Sequence, residues 1–451
     1  MTTPPDCLRV VHCVGFYFPE NVGGTEVYVR DLAHALNVQS VESIIVAATN
    51  GAYEEYDWAG TMVFRYPSNW AELDGKDGRG LSRFAELLSR LKPDIFHLHS
   101  WTPGAGLNHL AAAADLSIPT VVTLHLVPSI CIRGTMLLNG VTPCDGRIDE
   151  IRCSHCWVLQ RGAPKPVAFA VSRLPKIDAT TWKVSGLMRR IGTLLSIRTR
   201  VASKARELQA MARMARRLVT PSDWVRAALL RNGVPPESIV VSRQAPSRVF
   251  TESAAPPPAR LPSEPLRIGY IGRLERYKGL DTLIDALASI QDNVHLLIAG
   301  TGVDPEYLRS LNDAAERDRR IQLVGPVNQD ELPKFLSSVD LVAVPSRIME
   351  TGPLAVHEAH AQGVPVLGAD LGGIAERIRH GIDGLLLPFD TPQAWAHAIR
   401  DLARDRPRLA RLAANCRQTR TIDDVATEML ALYAQILDPA PAGHDAAGST
   451  A

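Results

Sequence analysis

The sequence predicts an α/β protein made of two doubly wound parallel sheets that face one another across a cleft. Three observations predict it. Short, continuous, β-branched apolar runs alternate with helix-length segments in the first half, at Leu8 to Val14, Ser43 to Ala48, Asp94 to His99 and Thr120 to Leu124. The alternation restarts in the second half, at Leu266 to Ile271, His295 to Ala299, Ile321 to Val324, Leu341 to Val344 and Val364 to Leu367. Between the halves, Ala254 to Pro265 (AAPPPARLPSEP) reads as a stiff, proline-rich spacer. The expected organisation is a domain over 1–250, a linker over 251–265, a second domain over 266–420, a helix over 421–438 and a disordered tail over 439–451.

Composition narrows the function. A chain of 451 residues, 46% of them hydrophobic, can bury large cores in two or three domains. A net charge of +1 gives no bulk attraction to nucleic acid. The sequence has no run of about eighteen or more apolar residues, and the start, MTTPPDCLRVVH, lacks a basic region ahead of an apolar core, so a cytoplasmic protein is expected. Seven cysteines in so long a chain do not make a disulfide framework; clustered in a reducing compartment, they point to metal or redox chemistry.

Taken in order, the first strand runs into FYFPENVGGTE, where Gly23 and Gly24 precede a helix expected to start near Thr25, with Thr25 as its cap. Glycines at the carboxyl end of a strand allow close approach of a ligand, though a plain tight turn needs the same residues. His97 and His99 share one face of their strand and read as polar core residues. His125 closes the Thr120 to Leu124 strand at the ligand-binding edge, where it can hydrogen-bond a sugar hydroxyl or a phosphate, shuttle a proton, or simply cap the strand.

Next come two inserts. In the first, at about 128–160, Cys153 and Cys156 have the spacing with which two thiolates reach one tetrahedral ion, and Cys131 and Cys144 supply two more. A structural zinc is expected there, with disulfides or buried thiols as the alternatives. The second insert, about 165–217, carries thirteen Lys and Arg against Asp178 and Glu207. Leu187, Ile191, Leu194 and Leu195 recur at helical spacing, which fits either a basic amphipathic helix touching an anionic membrane or a solvated helix packed on the first domain. Leu218 to Thr220 and Ile239 to Ser242 complete the first sheet.

The second domain opens with GYIGRLERYKGLD, placing Arg273 and Lys278 at a strand's carboxyl end, and Gly300-Thr301-Gly302 follows as another close-approach loop. Two fixed cations there can neutralise a departing diphosphate, although each in isolation also reads as an ordinary surface cation. The stretch Pro345 to Glu376, PSRIMETGPLAVHEAHAQGVPVLGADLGGIAE, starts from a buried strand and enters a helix whose first turn suits Pro353, with Gly352 leaving its amides open to an anion. Glu350 and Glu358 flank that site, separated by about 8 Å along the helix direction at roughly 1.5 Å per residue. An elongated ligand could be gripped by both; as an isolated pair they read equally as solvated glutamates.

Together, the Gly23-Gly24 loop with Glu26, His125, the GRLxxxKG run holding Arg273 and Lys278, Gly300-Thr301-Gly302, the Glu350 and Glu358 pair, and Gly372-Gly373 with Glu376 resemble the retaining glycosyltransferases of family 4, over most of residues 8–438. The resemblance implies the GT-B fold, two Rossmann-like domains with the acceptor on the first and a nucleotide-sugar donor, UDP- or GDP-linked, on the second. It implies that Arg273 and Lys278 hold the diphosphate, that Glu350 holds the donor sugar, Glu358 the ribose, and that His125 lies near the reacting carbon. Gly23, Gly24, Gly302, Thr351, Gly352, Pro353 and Leu354 would line the donor, with no catalytic cofactor or metal at the diphosphate and an acceptor of unknown type: glycan, lipid-linked or small molecule. A nucleotide-sugar epimerase on the same fold, or a non-catalytic zinc-stabilised binding protein, are the alternatives. The chain departs from the family in having Leu126 where Asp is common, Thr351-Gly352-Pro353 where an aromatic is usual, and Arg243-Gln244-Ala245-Pro246 in place of Asn-Gly.

Overall fold

The computed structural model describes residues 7–19, 23–68, 79–102, 104–125, 127–177, 186–252, 263–416 and 420–438. The expectations for Leu126, for most of the spacer and for the tail lie outside these residues. The strands are β1 (Arg9–Val14), β2 (Glu42–Thr49), β3 (Glu54–Trp58), β4 (Thr61–Pro67), β5 (Ile95–Leu98), β6 (Thr120–Thr123), β7 (Leu137–Leu138), β8 (Thr142–Pro143), β9 (Arg217–Thr220), β10 (Ile239–Val241), β11 (Leu266–Ile271), β12 (Val294–Ala299), β13 (Ile321–Gly325), β14 (Leu341–Val344), β15 (Val366–Ala369) and β16 (Gly384–Leu387).

Two sheets result. The first has the order β10-β9-β6-β5-β1-β2-β4-β3, and the second β13-β12-β11-β14-β15-β16. All pairs within them are parallel except β3 with β4. This is the two-domain α/β architecture expected, and the apolar runs are strands because helices cover both faces: Val10, Val11, Ile268 and Leu296 are wholly buried.

Among the strands not legible in the sequence are β3 and β16. Glu54–Trp58 is polar and mostly exposed, an edge strand held by a two-residue turn in which Ala59 and Gly60 both take positive φ (54° and 79°). Gly384–Leu387 is only four residues long and follows a loop rather than a long helix.

The final helix, Ile422–Leu437, starts from a reciprocal Thr421–Asp424 cap. Its buried residues Ile422, Val425, Ala426, Met429 and Tyr433 recur at helical spacing and join the core cluster of Val27, Leu32 and Leu36 from the helix Gly24–Val38. The chain therefore returns to the first domain after building the second. Among the described residues, no helix is long and apolar enough to cross a membrane.

The basic insert is three helices rather than one, Lys165–Arg173, Gly186–Leu195 and Ile197–Met214, with 178–185 outside the described residues. Part of its charge is neutralised locally: Lys176 and Arg198 both pair with Glu150 (2.6 and 3.0 Å), and Lys204 pairs with Glu207 (2.8 Å). Trp157, Val158, Ala168, Ile197 and Val201 form a small core of their own that binds the two inserts together.

Candidate active site

The site is built from loops at the carboxyl ends of β11, β12 and β14. Gly279 has φ 77°, and a Cβ on it would stand 2.0 Å from the Pro345 carbonyl oxygen, so only glycine lets the Lys278 turn lie against the Pro345 loop. The contact brings Lys278 Nζ to 2.6 Å from Glu350 Oε1, which also accepts from Ser346 Oγ at 2.8 Å. Burial alone would raise the Glu350 carboxyl; Lys278, Ser346 and Arg273 outweigh it and hold the group below the ordinary glutamate value.

Arg273 is exposed and has no hydrogen-bonded or ion-paired partner among the described residues. Its charge acts on Glu350 of its own domain and on Glu26 of the other, which puts it between the walls of the cleft. Gly300 and Gly302 make a close approach, but to the protein itself: a Cβ at Gly300 would meet the Gly272 oxygen at 1.8 Å, and one at Gly302 the Leu274 oxygen at 2.4 Å. The loop thus props the Arg273 loop from behind.

Opposite stands the start of Gly24–Val38. Gly23 is its N-cap and Thr25 makes no capping bond, contrary to expectation. Instead the Glu26 carboxylate turns back onto Gly23, where a Cβ would lie 2.6 Å from Glu26 Oε2. Burial raises this carboxyl despite the nearby amides of Glu26 and Gly23 and the charge of Arg273. Gly24 faces Leu354 across the interface, 3.5 Å from the position a Cβ would take. The helix Leu354–Ala361 begins there with Pro353 as its N-cap rather than in its first turn, and with no side-chain cap. Two helix N-termini therefore abut, and their dipoles favour negative charge between them.

Glu358 is not a solvated glutamate. It is 4% exposed, and burial, reinforced by Asp31 and opposed by Arg30, pushes its carboxyl up to about 7. The charged groups that act on it, Asp31 and Arg30, come from the first domain, so this helix of the second domain is buried against the first.

His125 departs from expectation. Gln244 Nε2 lies 2.9 Å from its Nδ1, and His99 Nδ1 lies 3.3 Å from its Nε2, so both ring nitrogens are engaged inside the protein. The imidazole is 7% exposed and burial pushes it down to about 3; it has no nitrogen to offer a sugar or a travelling proton in this arrangement. What it gives the second domain is its carbonyl oxygen, which accepts from Thr351 Oγ1 at 2.7 Å.

The domains are closed on one another by residues that sequence reasoning did not find. Glu376 accepts from the Asp223 and Trp224 amides (2.9 and 2.8 Å), capping the helix Asp223–Arg231 from the other domain. Trp224 Nε1 donates to the Glu350 carbonyl at 2.9 Å, and the Met349 amide to the Thr135 carbonyl at 3.1 Å, so the cysteine insert borders the cleft. Only Glu376 carried a signal, its position in a glycine-led motif, and that signal says nothing of a partner more than a hundred residues away in sequence.

The four cysteines do not form the expected tetrahedral set. On the helix Glu150–Gln160, Cys153 points towards Arg147 and Asp149, whereas Cys156 points inward to the Asn139 amide (3.0 Å) and the Leu137 carbonyl. Burial pushes the Cys153 thiol up to about 11, with Cys131 and Cys144 near enough to add to it. No three sulfurs among the described residues lie within 4.8 Å of one another; His12, His97 and His99 do. Both nitrogens of His97 are already taken, by Tyr433 (2.6 Å) and Thr123 (2.7 Å). The insert is fastened otherwise: Asn232 accepts from the Ile148 amide and donates to the Gly146 carbonyl, both at 2.8 Å.

Comparison with known proteins agrees with this geometry. The model of the glycosyl transferase 4-like domain matches residues 23–243, and that of glycosyl transferases group 1 matches residues 253–419. A D-inositol 3-phosphate glycosyltransferase of Xylanimonas cellulosilytica is 27% identical over 443 residues, 94% of either chain. Among solved structures, HepE of Anabaena in complex with UDP and glucose superposes with a TM-score of 0.60 at 17% identity, covering 95% of this chain and 98% of that one. Sucrose-phosphate synthase of Thermosynechococcus elongatus does so with 0.58 at 18%, covering 95% and 99%.

Proposed function

Because the chain belongs to the family 4-like glycosyltransferases of GT-B fold, we propose that it moves a sugar from a UDP- or GDP-linked donor to an acceptor hydroxyl with retention of configuration. The observation that carries this reading is the Lys278–Glu350 pair at 2.6 Å beside the exposed Arg273, at the start of the helix Leu354–Ala361. A donor diphosphate entering here takes up Arg273 and draws Lys278 from Glu350. Glu350 is then free to accept from the hydroxyls of the transferred sugar, and Glu358 from those of the ribose.

In the step itself, the bond from the anomeric carbon to the phosphate oxygen breaks with its electron pair going to the phosphate. The acceptor oxygen bonds to the same face, and its proton passes to that phosphate oxygen. The two cations stabilise the charge that develops there and so lower the barrier more than they tighten ground-state binding. On this reading the cations do at the diphosphate what a metal does elsewhere.

The acceptor belongs to the first domain, whose cysteine insert lies against the donor loop. Lys165–Arg173 leaves Lys165, Val167, Phe169 and Arg173 exposed, with the Arg173 guanidinium 3.5 Å over the Phe169 ring. Exposed apolar side chains beside cations suit an anionic membrane surface. Retention on vesicles containing anionic lipid, lost in 0.5 M-scale salt and in Phe169→Ala, is the expected result; equal retention on neutral vesicles would remove this contact.

The reaction is tested by incubating the protein with a panel of nucleotide sugars. The expected result is a raised melting temperature with one base-and-sugar combination, then release of the nucleoside diphosphate and a product of unchanged anomeric configuration. An isomerised nucleotide sugar with donor alone would favour an epimerase, and stabilisation without turnover towards any acceptor a binding protein.

A further inference from the structure

We propose that Gln244 is a positioning residue that ties closure of the two domains to the tautomeric state of a chain of three buried histidines. His12 Nδ1 lies 3.1 Å from His99 Nε2, His99 Nδ1 lies 3.3 Å from His125 Nε2, and His125 Nδ1 lies 2.9 Å from Gln244 Nε2. Relative exposures along the chain are 0%, 0%, 7% and 4%, so no bulk water competes for these bonds.

The donor sense of the chain follows from one atom. An amide nitrogen only donates, so His125 Nδ1 accepts and its proton sits on Nε2. That proton is given to His99 Nδ1, which places the His99 proton on Nε2, and the His99 proton is given to His12 Nδ1. All three rings are therefore neutral Nε2–H tautomers. The chain ends at His12 Nε2, which is buried and has no hydrogen-bond partner among the described residues, just as Gln244 Oε1 has none at the other end. Burial lowers all three imidazoles, which keeps the chain neutral.

What confines the Gln244 amide beside His125 is the second domain. A Cβ on Gly352 would stand 2.2 Å from Gln244 Oε1 and 2.7 Å from its Cδ, so the amide lies flat against the only residue type that leaves it room. On the other side of the same ring, the His125 carbonyl takes the Thr351 hydroxyl. Gln244 thus grips Thr351 through His125 and Gly352 by packing, and fixes the loop that carries Glu350. Its role in the reaction rests on the assignment of that loop to the donor; the contact and the tautomers do not.

The test uses the ligand-free full-length protein labelled with ¹⁵N-histidine. Long-range proton–nitrogen spectra should show His12, His99 and His125 as a uniform set of Nε2–H tautomers, and a mixed set overturns the proposal. Gln244→Met, which fills the space without a donor, should shift the ring nitrogens of His99 and His12, although neither touches residue 244; spectra unchanged at both overturn it. Gly352→Ala should disturb the same signals and increase the radius of gyration, and Gly352→Ala with Gln244→Ala should recover compactness because the colliding amide is gone. Failure of the double variant to recover, with the histidine signals of Gly352→Ala matching wild type, rejects the coupling. No donor enters these measurements, so they stand apart from the assignment of the reaction.

Discussion

At the scale of single residues, the site depends on charges held against one another. Lys278 is tied to a Glu350 whose carboxyl stays ionised because of it. Lys278→Ala is expected to lower turnover about a hundredfold or more, the order seen when one preorganised donor to a developing oxyanion is removed, while circular dichroism shows a folded chain; transfer at the wild-type rate would take Lys278 out of the diphosphate role. Glu358 gives a pH signature. Its unfolded carboxyl titrates near 4.5 and its folded one near 7, so between those values the folded chain binds more protons and stability falls as pH rises. The loss approaches ~3 kcal/mol above pH 7, at about 1.4 kcal/mol per unit. Glu358→Gln should therefore be the more stable protein at pH 8, with the advantage gone below pH 4.5 in denaturant titrations, and it should bind nucleotide less well. A variant no more stable than wild type at pH 8 would show that Glu358 is not held neutral.

At the scale of elements, glycines set how closely loops meet, and what they meet was not legible. The sequence suggested that Gly302 lets a ligand approach; the atom that approaches is the Leu274 oxygen. Gly302→Ala must push the Arg273 loop away, so donor affinity should fall about tenfold by calorimetry, the effect of roughly 1.4 kcal/mol, with little change in the pH profile; undiminished affinity would separate the loop from the site. The cysteine insert teaches a related lesson. On the helix Glu150–Gln160 each thiol of the two-residue spacing is held by a different loop, Cys153 by Arg147 and Asp149 and Cys156 by Leu137 and Asn139. Spacing named the residues, and the local backbone decided their direction.

For the whole molecule, the closed state is held by polar atoms from both domains. Glu376 caps a helix whose own Ser222 makes no capping bond, and Arg243 reaches both Glu376 (3.3 Å) and Asp223 (2.6 Å). A lost cap costs about 1 kcal/mol, so Glu376→Ala should open the cleft. Trp224 emission should shift to the red as its bond to the Glu350 carbonyl is lost, and the donor KM should rise about tenfold with kcat less affected. Trp224 emission identical to that of wild type would mean that other contacts suffice to close the domains.

The sequence by itself determined the two parallel sheets and the segments at their strand ends that bear Arg273, Lys278, Glu350 and Glu358. These follow from apolar periodicity, glycine and proline placement, and motif order, all of which act within a few residues along the chain. Tertiary structure alone decided that His125 turns inward, that Gln244 rests on Gly352, that Glu376 caps a helix of the other domain and that Glu358 is buried. Each of those depends on groups brought together from distant parts of the chain, and desolvation, the largest influence on Glu358 and His125, exists only once both domains exclude water from the space between them.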